Sequence, residues 1–292
     1  MRVLCFDIGG TQIKSMIKSE NEEISLPNIK SRAKDGAEFI KEDLFERIHE
    51  LRDKYQIYGT GISTAGMVDP NTGKIAYAND NFKNYIGFDW KKLIKEEFGL
   101  PATVENDVKS AALGEYYYGA GKGAASMFAL TVGTGIGGAL IIDGEIYRGA
   151  SGQAGEIGYL PMDGQEFEKI ASTTALINRA GELYPSKSYT NGVEIFDGID
   201  KAEPEAIKLI DEMTENLAKG IGSIMLIVSP EVILIGGGIS EQEEKFVDPI
   251  RRKIQKLVPE NVFKASKITN TSLGNKSGLY GAYHLFTKRN EA

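Results

Sequence analysis

The sequence predicts an α/β protein built from two domains of similar core. Three observations predict it. Apolar strands run into glycine turns at Asp7-Ile8-Gly9-Gly10-Thr11 and again at Thr131-Val132-Gly133-Thr134-Gly135. A second apolar strand leaves each turn, Ser15-Met16-Ile17 or Ala139-Leu140-Ile141, so one supersecondary unit occurs twice, aligned without gaps at an offset of 124 residues. Between and after the copies, helical spacing alternates with strand-like runs. A chain of 292 residues has room for two such domains with a cleft between them.

Taken in order, Met1 to Phe6 reads as a buried strand and Ile13 to Ile17 as its return. Ile40, Leu44, Ile48 and Leu51 then recur at helical spacing with charged residues between them. Strands are expected at Tyr58 to Ile62 and Ala102 to Val104. A turn at Asp69-Pro70-Asn71-Thr72-Gly73 and a short helix capped by Asp89 lie between these two strands. Helical patterning resumes near Asp107, and the second glycine-turn unit begins at Phe128. Toward the end come a long helix marked by Ile207, Ile210, Met213, Leu217, Ile221 and Ile224, and a strand over Val232 to Ile235. The glycine run 236–238 then leads into a further helix.

Composition narrows the function class. Apolar residues make up 41% and charged residues 26%, which excludes disordered and fibrous chains. With 34 basic against 41 acidic residues the net charge is −7, unsuited to nucleic acid or an anionic membrane. The single cysteine, Cys5, cannot form an internal disulfide and reads as core. The apolar start meets Asp7 too soon for a signal peptide, and Ile224 to Val228 is too short to span a bilayer. A cytoplasmic protein is expected.

Five segments could carry chemistry. At Asp7 to Thr11, backbone N–H groups could cradle a phosphate while Asp7 orients Mg²⁺ or its waters; a plain hairpin turn is the other reading. Thr131 to Gly138 carries no Gly-Lys-Ser/Thr and leads into a strand, which excludes a P-loop. Gly236-Gly237-Gly238 would let a nucleotide lie against the backbone, or would simply join strand to helix. Glu105-Asn106-Asp107 leaves a strand and enters a helix. There Asp107 is either a general base at a strand's carboxyl end or part of a helix cap. Gly152 to Gly158 sets one carboxylate, Glu156, among glycines.

Taken in chain order, together with Ser63-Thr64-Ala65-Gly66-Met67-Val68-Asp69, Gly155-Glu156-Ile157-Gly158 and Gly236-Gly237-Gly238-Ile239-Ser240, the segments resemble the ROK family of bacterial sugar kinases and related repressors. That family lies within the actin/hexokinase-like ATPase superfamily, and the resemblance runs from Asp7 to about Ala282. It implies two ribonuclease-H-like α/β domains flanking an ATP/sugar cleft, over residues 1–112 and 113–275. A last helix, about 276–289, is expected to pack back on the first domain. Carried over residue by residue, Asp107 is similar to the catalytic base. Asn106 and Glu156 are similar to sugar-hydroxyl ligands, and Gly66 lines the sugar pocket. Gly9, Gly10, Thr11, Gly133, Thr134 and Gly135 would cradle phosphates, with Gly237 and Gly238 beside adenosine. Lys14 is either a phosphate partner or an exposed strand lysine.

One departure from the family pattern stands out. The usual Glu-Ile-Gly-His is Glu156-Ile157-Gly158-Tyr159, and no cysteine or histidine lies between Leu160 and Ala171. Structural zinc needs four such ligands, so no zinc is expected. Glu168, in Phe167-Glu168-Lys169-Ile170-Ala171-Ser172, matches the glutamate that follows the zinc cysteines in the family and becomes a sugar-ligand candidate. Tyr159 either contacts sugar or only packs. Burial of Tyr159, Leu160, Met162, Phe167 and Ile170 is expected to hold the loop in place of zinc. The histidines, His49 and His284, fall outside every motif.

The resemblance implies an ATP- and Mg²⁺-dependent kinase acting on the primary hydroxyl of a hexose or N-acylhexosamine, of glucose or N-acetylmannosamine type, and a homodimer. A β-glucoside kinase or fructokinase is the alternative within the family. A transcriptional repressor would need a helix-turn-helix segment. With the first phosphate strand beginning at residue 2, none is expected. A chaperone- or actin-type ATPase fits the glycine turns but not the match around Asp107 and Glu156.

Overall fold

The computed structural model describes residues 1–291, with the side chains of Ser240, Glu241, Glu243 and Glu291 outside the described set. The chain forms two compact units, residues 1–119 with 149–153 and 275–292, and residues 120–148 with 154–274.

The first unit is built on strands β1 (Val3–Ile8), β2 (Gln12–Lys18), β3 (Glu23–Ser25), β4 (Gly59–Thr64) and β5 (Ala102–Asn106), in spatial order β3-β2-β1-β4-β5. β1, β2 and β3 form an antiparallel meander, and β4 and β5 add in parallel beside β1. Parallel neighbours need crossovers, which helices α1 (Ala37–Tyr55) and α2 (Trp90–Phe98) provide. Alternation along β1 sends its side chains to both faces. Leu4, Phe6 and Ile8 pack with Ile40, Leu44, Ile48 and Leu51 of α1. Val3 and Cys5 pack with Leu279, Ala282, Tyr283 and Phe286 of the C-terminal helix Ser277–Glu291. Cys5 is wholly buried, which pushes its thiol pKa up and keeps it inert. Helix α3 (Asp107–Tyr118) follows β5 without a break and runs to the end of this stretch of the unit.

The second unit repeats the plan. Strands β6 (Ser126–Val132), β7 (Ile136–Ile142), β8 (Glu145–Ile146), β9 (Val232–Gly236) and β10 (Lys267–Asn270) lie in the order β8-β7-β6-β9-β10. The first three are again antiparallel and the last two parallel. Its helices include α4 (Phe167–Ala171), α5 (Thr173–Leu183), α6 (Gly192–Asp200), α7 (Pro204–Val228) and α8 (Asp248–Leu257). Leu130, Val132, Ile233 and Ile235 pack against Leu217 and Ile221 of α7 and Ile250 and Ile254 of α8.

Three expectations are corrected. The repeat is not gapless: Ile8 pairs with Ile13 around a four-residue turn, whereas Val132 pairs with Ile136 around a three-residue turn. The copies therefore match at the stated offset only up to the first glycine, and Ser15 corresponds to Gly138 rather than Ala139. In α7 the periodic Ile207 is 48% exposed, and the core takes Ala206 and Leu209 in its place. The glycine run after β9 leads into a 3₁₀ turn, Gly238–Glu241, and a π segment, Glu243–Val247. The α-helix begins only at Asp248, where Pro249 fits a first turn that needs no N–H. Among the described residues no helix is long and apolar enough to cross a membrane.

Candidate active site

In the first unit the candidate residues stand in rows across the carboxyl ends of the three parallel strands. Asp7, Ser63 and Glu105 are register neighbours, as are Ile8, Thr64 and Asn106. Ligands bind at such strand ends in open α/β sheets. Asp7 Oδ1 accepts a hydrogen bond from Ser63 Oγ at 2.7 Å, and its Oδ2 lies 3.4 Å from Lys14 Nζ. Lys14 is the cross-strand partner of Asp7 and also donates to Asn275 Oδ1 at 3.3 Å. It is half-buried beside the first glycine turn, not a free exposed lysine. Gly9, Gly10, Thr11 and Gln12 form that turn, closed by Gly9 N–H to the Gln12 carbonyl at 3.0 Å.

Asn106 caps α3: its Oδ1 accepts from Lys109 N at 3.1 Å. The capping role therefore falls to Asn106 rather than Asp107. Asn106 Nδ2 donates both to the Gly66 carbonyl at 2.9 Å and to Asp107 Oδ1 at 2.8 Å. Asp107 Oδ1 also accepts from Val108 N at 2.9 Å. One amide thus ties Gly66, Asn106 and Asp107 together and fixes the carboxylate's rotamer. Beneath them, the buried Tyr85 hydroxyl bonds Thr64 Oγ1 at 2.7 Å and accepts from Trp90 Nε1 at 2.8 Å. Burial pushes the Tyr85 pKa up in spite of these bonds, and the charge of Asp107 adds to the rise.

In the second unit the Gly133-Thr134-Gly135 turn closes with Gly133 N–H to the Gly135 carbonyl at 3.0 Å, and the Gly133 carbonyl accepts from Thr173 N at 2.9 Å. Thr134 is exposed at the tip. Glu168 lies against this turn: a Cβ on Gly135 would stand 2.6 Å from Glu168 Oε2, and one on Gly158 would stand 3.2 Å from it. Bare backbone at both positions leaves the carboxylate its place. Glu156 precedes the 3₁₀ turn Ile157–Tyr159, which brings the Gly155 to Gly158 segment onto β7. Glu168, the Gly158 backbone and the second glycine turn are thus brought together, with Glu156 two residues before Gly158, as Gly66, Asn106 and Asp107 are in the first unit.

The Leu160 to Ala171 loop is held by packing. Phe167 is fully buried, and Leu160, Met162 and Ile170 pack against the same core. Tyr159 is not an anchor, being 53% exposed and outside that core. The loop contains a hairpin in which Pro161 and Met162 pair with Glu166 and Gln165 around Asp163-Gly164. Both turn residues have left-handed φ, 51° and 81°. Neither histidine joins these sites: His49 lies against Phe98, and His284 stacks on Tyr117.

A cavity of about 340 Å³ opens beside the second glycine turn. Val132, Gly133, Thr134 and Gly238 line it. So do Thr173, Thr174, Ile177, Val193, Phe196, Asp197 and Gln242, which the sequence reading missed. The α-helix that begins there is α5, capped by Ser172, whose Oγ accepts from Ala175 N at 3.1 Å. An apolar wall with a few polar groups suits a flat heterocycle, and the glycine turn and helix start suit its phosphates. Gly237 sits at φ 99° with no room for a side chain, because a Cβ would come 2.1 Å from the Val132 carbonyl. The Ser240 side chain of the same motif lies outside the described residues.

Among the described residues no three His, Cys, Asp or Glu side chains cluster as a metal nest. Asp7 offers one carboxylate, which fits an ion held chiefly by substrate phosphates, as Mg²⁺ is.

A family model described as ROK family matches residues 3–289. A Clostridium perfringens protein is 43% identical over 282 residues, 96% of each chain. A β-glucoside kinase of Listeria innocua is 30% identical over 303 residues, 99% of each chain. A ROK family glucokinase from Streptomyces griseus, solved in complex with glucose and AMPPNP, superposes with a TM-score of 0.84 at 26% identity, covering 98% of this chain and 99% of its own.

Proposed function

Because the chain belongs to the ROK family, we propose that it is a sugar kinase. It transfers the γ-phosphoryl group of ATP to the primary hydroxyl of a hexose or N-acylhexosamine, of glucose or N-acetylmannosamine type. The observation that carries this reading is the Gly66–Asn106–Asp107 arrangement, in which Asn106 caps the helix and leaves Asp107 for chemistry. Phosphoryl transfer asks a protein mainly for positioning and charge stabilisation. Asp107 accepts the proton of the attacking hydroxyl, and Asn106 orients its carboxylate. Glu156 and Glu168 hold ring hydroxyls. The cavity beside Gly133 takes the adenosine, with Gly238 at its wall and Gly237 next to it in the chain, and the two glycine turns face phosphates. Asp7 and Lys14 flank the first turn, where Mg²⁺ arriving with ATP would neutralise phosphate charge. The glucose and AMPPNP complex of the Streptomyces griseus relative supports ATP and a hexose as ligands.

The 30% identical Listeria innocua relative, a β-glucoside kinase, favours a second acceptor class of the same reaction. A coupled assay of ADP release with ATP, Mg²⁺ and a panel of glucose, N-acetylmannosamine, fructose and β-glucosides tests the proposal. One sugar should stimulate ADP release well above the sugar-free rate. No stimulation by any of them would overturn it.

A further inference from the structure

A second and larger cavity lies in the same unit, away from the glycine turns. It has a volume of about 860 Å³ and runs between one face of α7 and one face of α8. Ile199, Ile207 and Ile210 form its apolar side. Among the described residues its charged lining has four cations, Lys245, Arg252, Lys253 and Lys256, against two carboxylates, Asp211 and Glu244. That surplus stands out in a chain of net charge −7. The cations are not equivalent. Lys253 is paired with Asp211 at 2.6 Å, and Lys245 with Asp200 at 2.6 Å. Arg252 and Lys256, one helical turn apart on α8 and both exposed, have no ion-pair partner among the described residues. Nothing in the proposed phosphotransfer uses them.

We infer that this groove is a binding site for a small organic phosphate monoester. The dianion would be held by Arg252 and Lys256, and the organic body would lie on Ile207 and its neighbours. A guanidinium presents paired donors that match phosphate oxygens, and a nearby ammonium adds charge. The volume falls within the range of small-molecule sites, and the exposed Ile207 supplies a flank that free phosphate would not use.

The groove adjoins the cavity beside Gly133. Lys245 lines both, and its partner Asp200 lines the smaller one. A phosphate that draws Lys245 away from Asp200 alters the wall of the smaller cavity. Occupancy of the groove then changes affinity at that cavity, and the change is reciprocal. This coupling rests on the nucleotide assignment above; the groove's own affinity does not.

Phenyl phosphate, inorganic phosphate and phenol titrated into the intact protein by calorimetry test the inference. Phenyl phosphate should bind saturably, several-fold tighter than inorganic phosphate, and phenol should not bind. The double variant Arg252→Ala/Lys256→Ala should weaken phenyl phosphate at least tenfold while keeping its basal ATPase or kinase rate. Ile207→Ser should erase the preference over inorganic phosphate. Binding that survives the double variant, or no saturable binding at all, would overturn the site. AMPPNP affinity with and without saturating phenyl phosphate reads the coupling. Equal affinities would remove the link through Lys245, while a failure of AMPPNP to bind would count against the nucleotide assignment alone.

Discussion

The ring of Phe167 fills the space that a side chain at position 220 would need: a Cβ on Gly220 would stand 2.4 Å from Phe167 Cζ. Glycine in the middle of the long helix α7 costs about 1 kcal/mol of helix propensity relative to alanine, and here it admits the ring that anchors the loop bearing Glu168. Phe167→Ala should therefore lower stability by about 3–5 kcal/mol. Because Glu168 is the next residue, the same variant should raise the sugar KM several-fold and leave the ATP KM nearly unchanged. Gly220→Ala should destabilise too, since overpacking of about 1–3 kcal/mol outweighs the gain in propensity. Denaturant melts and paired KM measurements check both. Equal loss of sugar and ATP use in Phe167→Ala would break the link to Glu168.

Asp107→Asn should fold as the parent does and lose roughly 10²–10⁴-fold in kcat, the scale for a removed general base. Asn106 keeps the cap, so stability should move little. The contrasting variant Asn106→Ala should lower both, because it removes the cap, about 1 kcal/mol, and the amide that orients Asp107. Thermal melts beside kcat values separate the two roles. Near-normal turnover in Asp107→Asn would leave that carboxylate without a catalytic part.

Activity should persist in a strong zinc-selective chelator when Mg²⁺ is supplied, and elemental analysis should find no stoichiometric zinc. The 160–171 loop offers no cysteine or histidine, and buried Phe167 with Leu160, Met162 and Ile170 ties it to the core. Activity lost on chelation and restored by zinc would contradict this.

Much of this was legible in the sequence, because strand, glycine turn and return strand leave local marks. The paired sheets follow from the two copies, and α1 from Ile40, Leu44, Ile48 and Leu51, all of them buried. The one-residue difference between the turns was not legible. Gly-Gly-Thr-Gln and Gly-Thr-Gly both read as turns, and only strand pairing fixes which residue opposes which. The Asp163-Gly164 hairpin could have been read, since Asp-Gly is a strong two-residue turn signal, but its strands are only two residues long. The lining of the smaller cavity could not. Val193 and Phe196 come to line one cavity with Gly238 only in the folded unit, and no motif marks that they do.

Stability should depend on Glu23 in a definite pH window. Burial alone would raise its pKa. Hydrogen bonds from Lys276, at 2.7 Å, and from the Tyr280 hydroxyl more than reverse that and hold it below the usual 4.5. A depressed carboxylate contributes stability that is present above the unfolded pKa and lost as pH falls through the folded one. Glu23→Gln should thus melt below the parent at pH 7, with the gap closing below about pH 4. Tyr280, pushed up to about 12 by burial and by Glu23, works in the opposite direction. Its contribution is full below about pH 10 and fades as pH rises through its folded value. A gap of constant size from pH 3 to 7 would exclude this linkage.

Gly133, which lines the smaller cavity, and Gly237, which precedes the lining residue Gly238, should fail in different ways. A Cβ on Gly133 meets nothing within 4 Å, and its φ is not in the left-handed region, so the backbone there tolerates a side chain. Gly133→Val should fold with near-parental stability and still lose nucleotide affinity, because the side chain would occupy space that the proposed phosphates need. Gly237 has φ 99°, and a Cβ would collide with the Val132 carbonyl. Gly237→Ala should therefore lose about 1–3 kcal/mol of stability from backbone strain before any effect on nucleotide is read. Calorimetric titration with AMPPNP, beside denaturant melts, distinguishes them. The first variant should bind at least tenfold more weakly at unchanged midpoint, and the second should shift its midpoint. A stably folded Gly133→Val protein with parental AMPPNP affinity would remove the second glycine turn from the nucleotide site and leave the adjoining cavity without its assigned ligand.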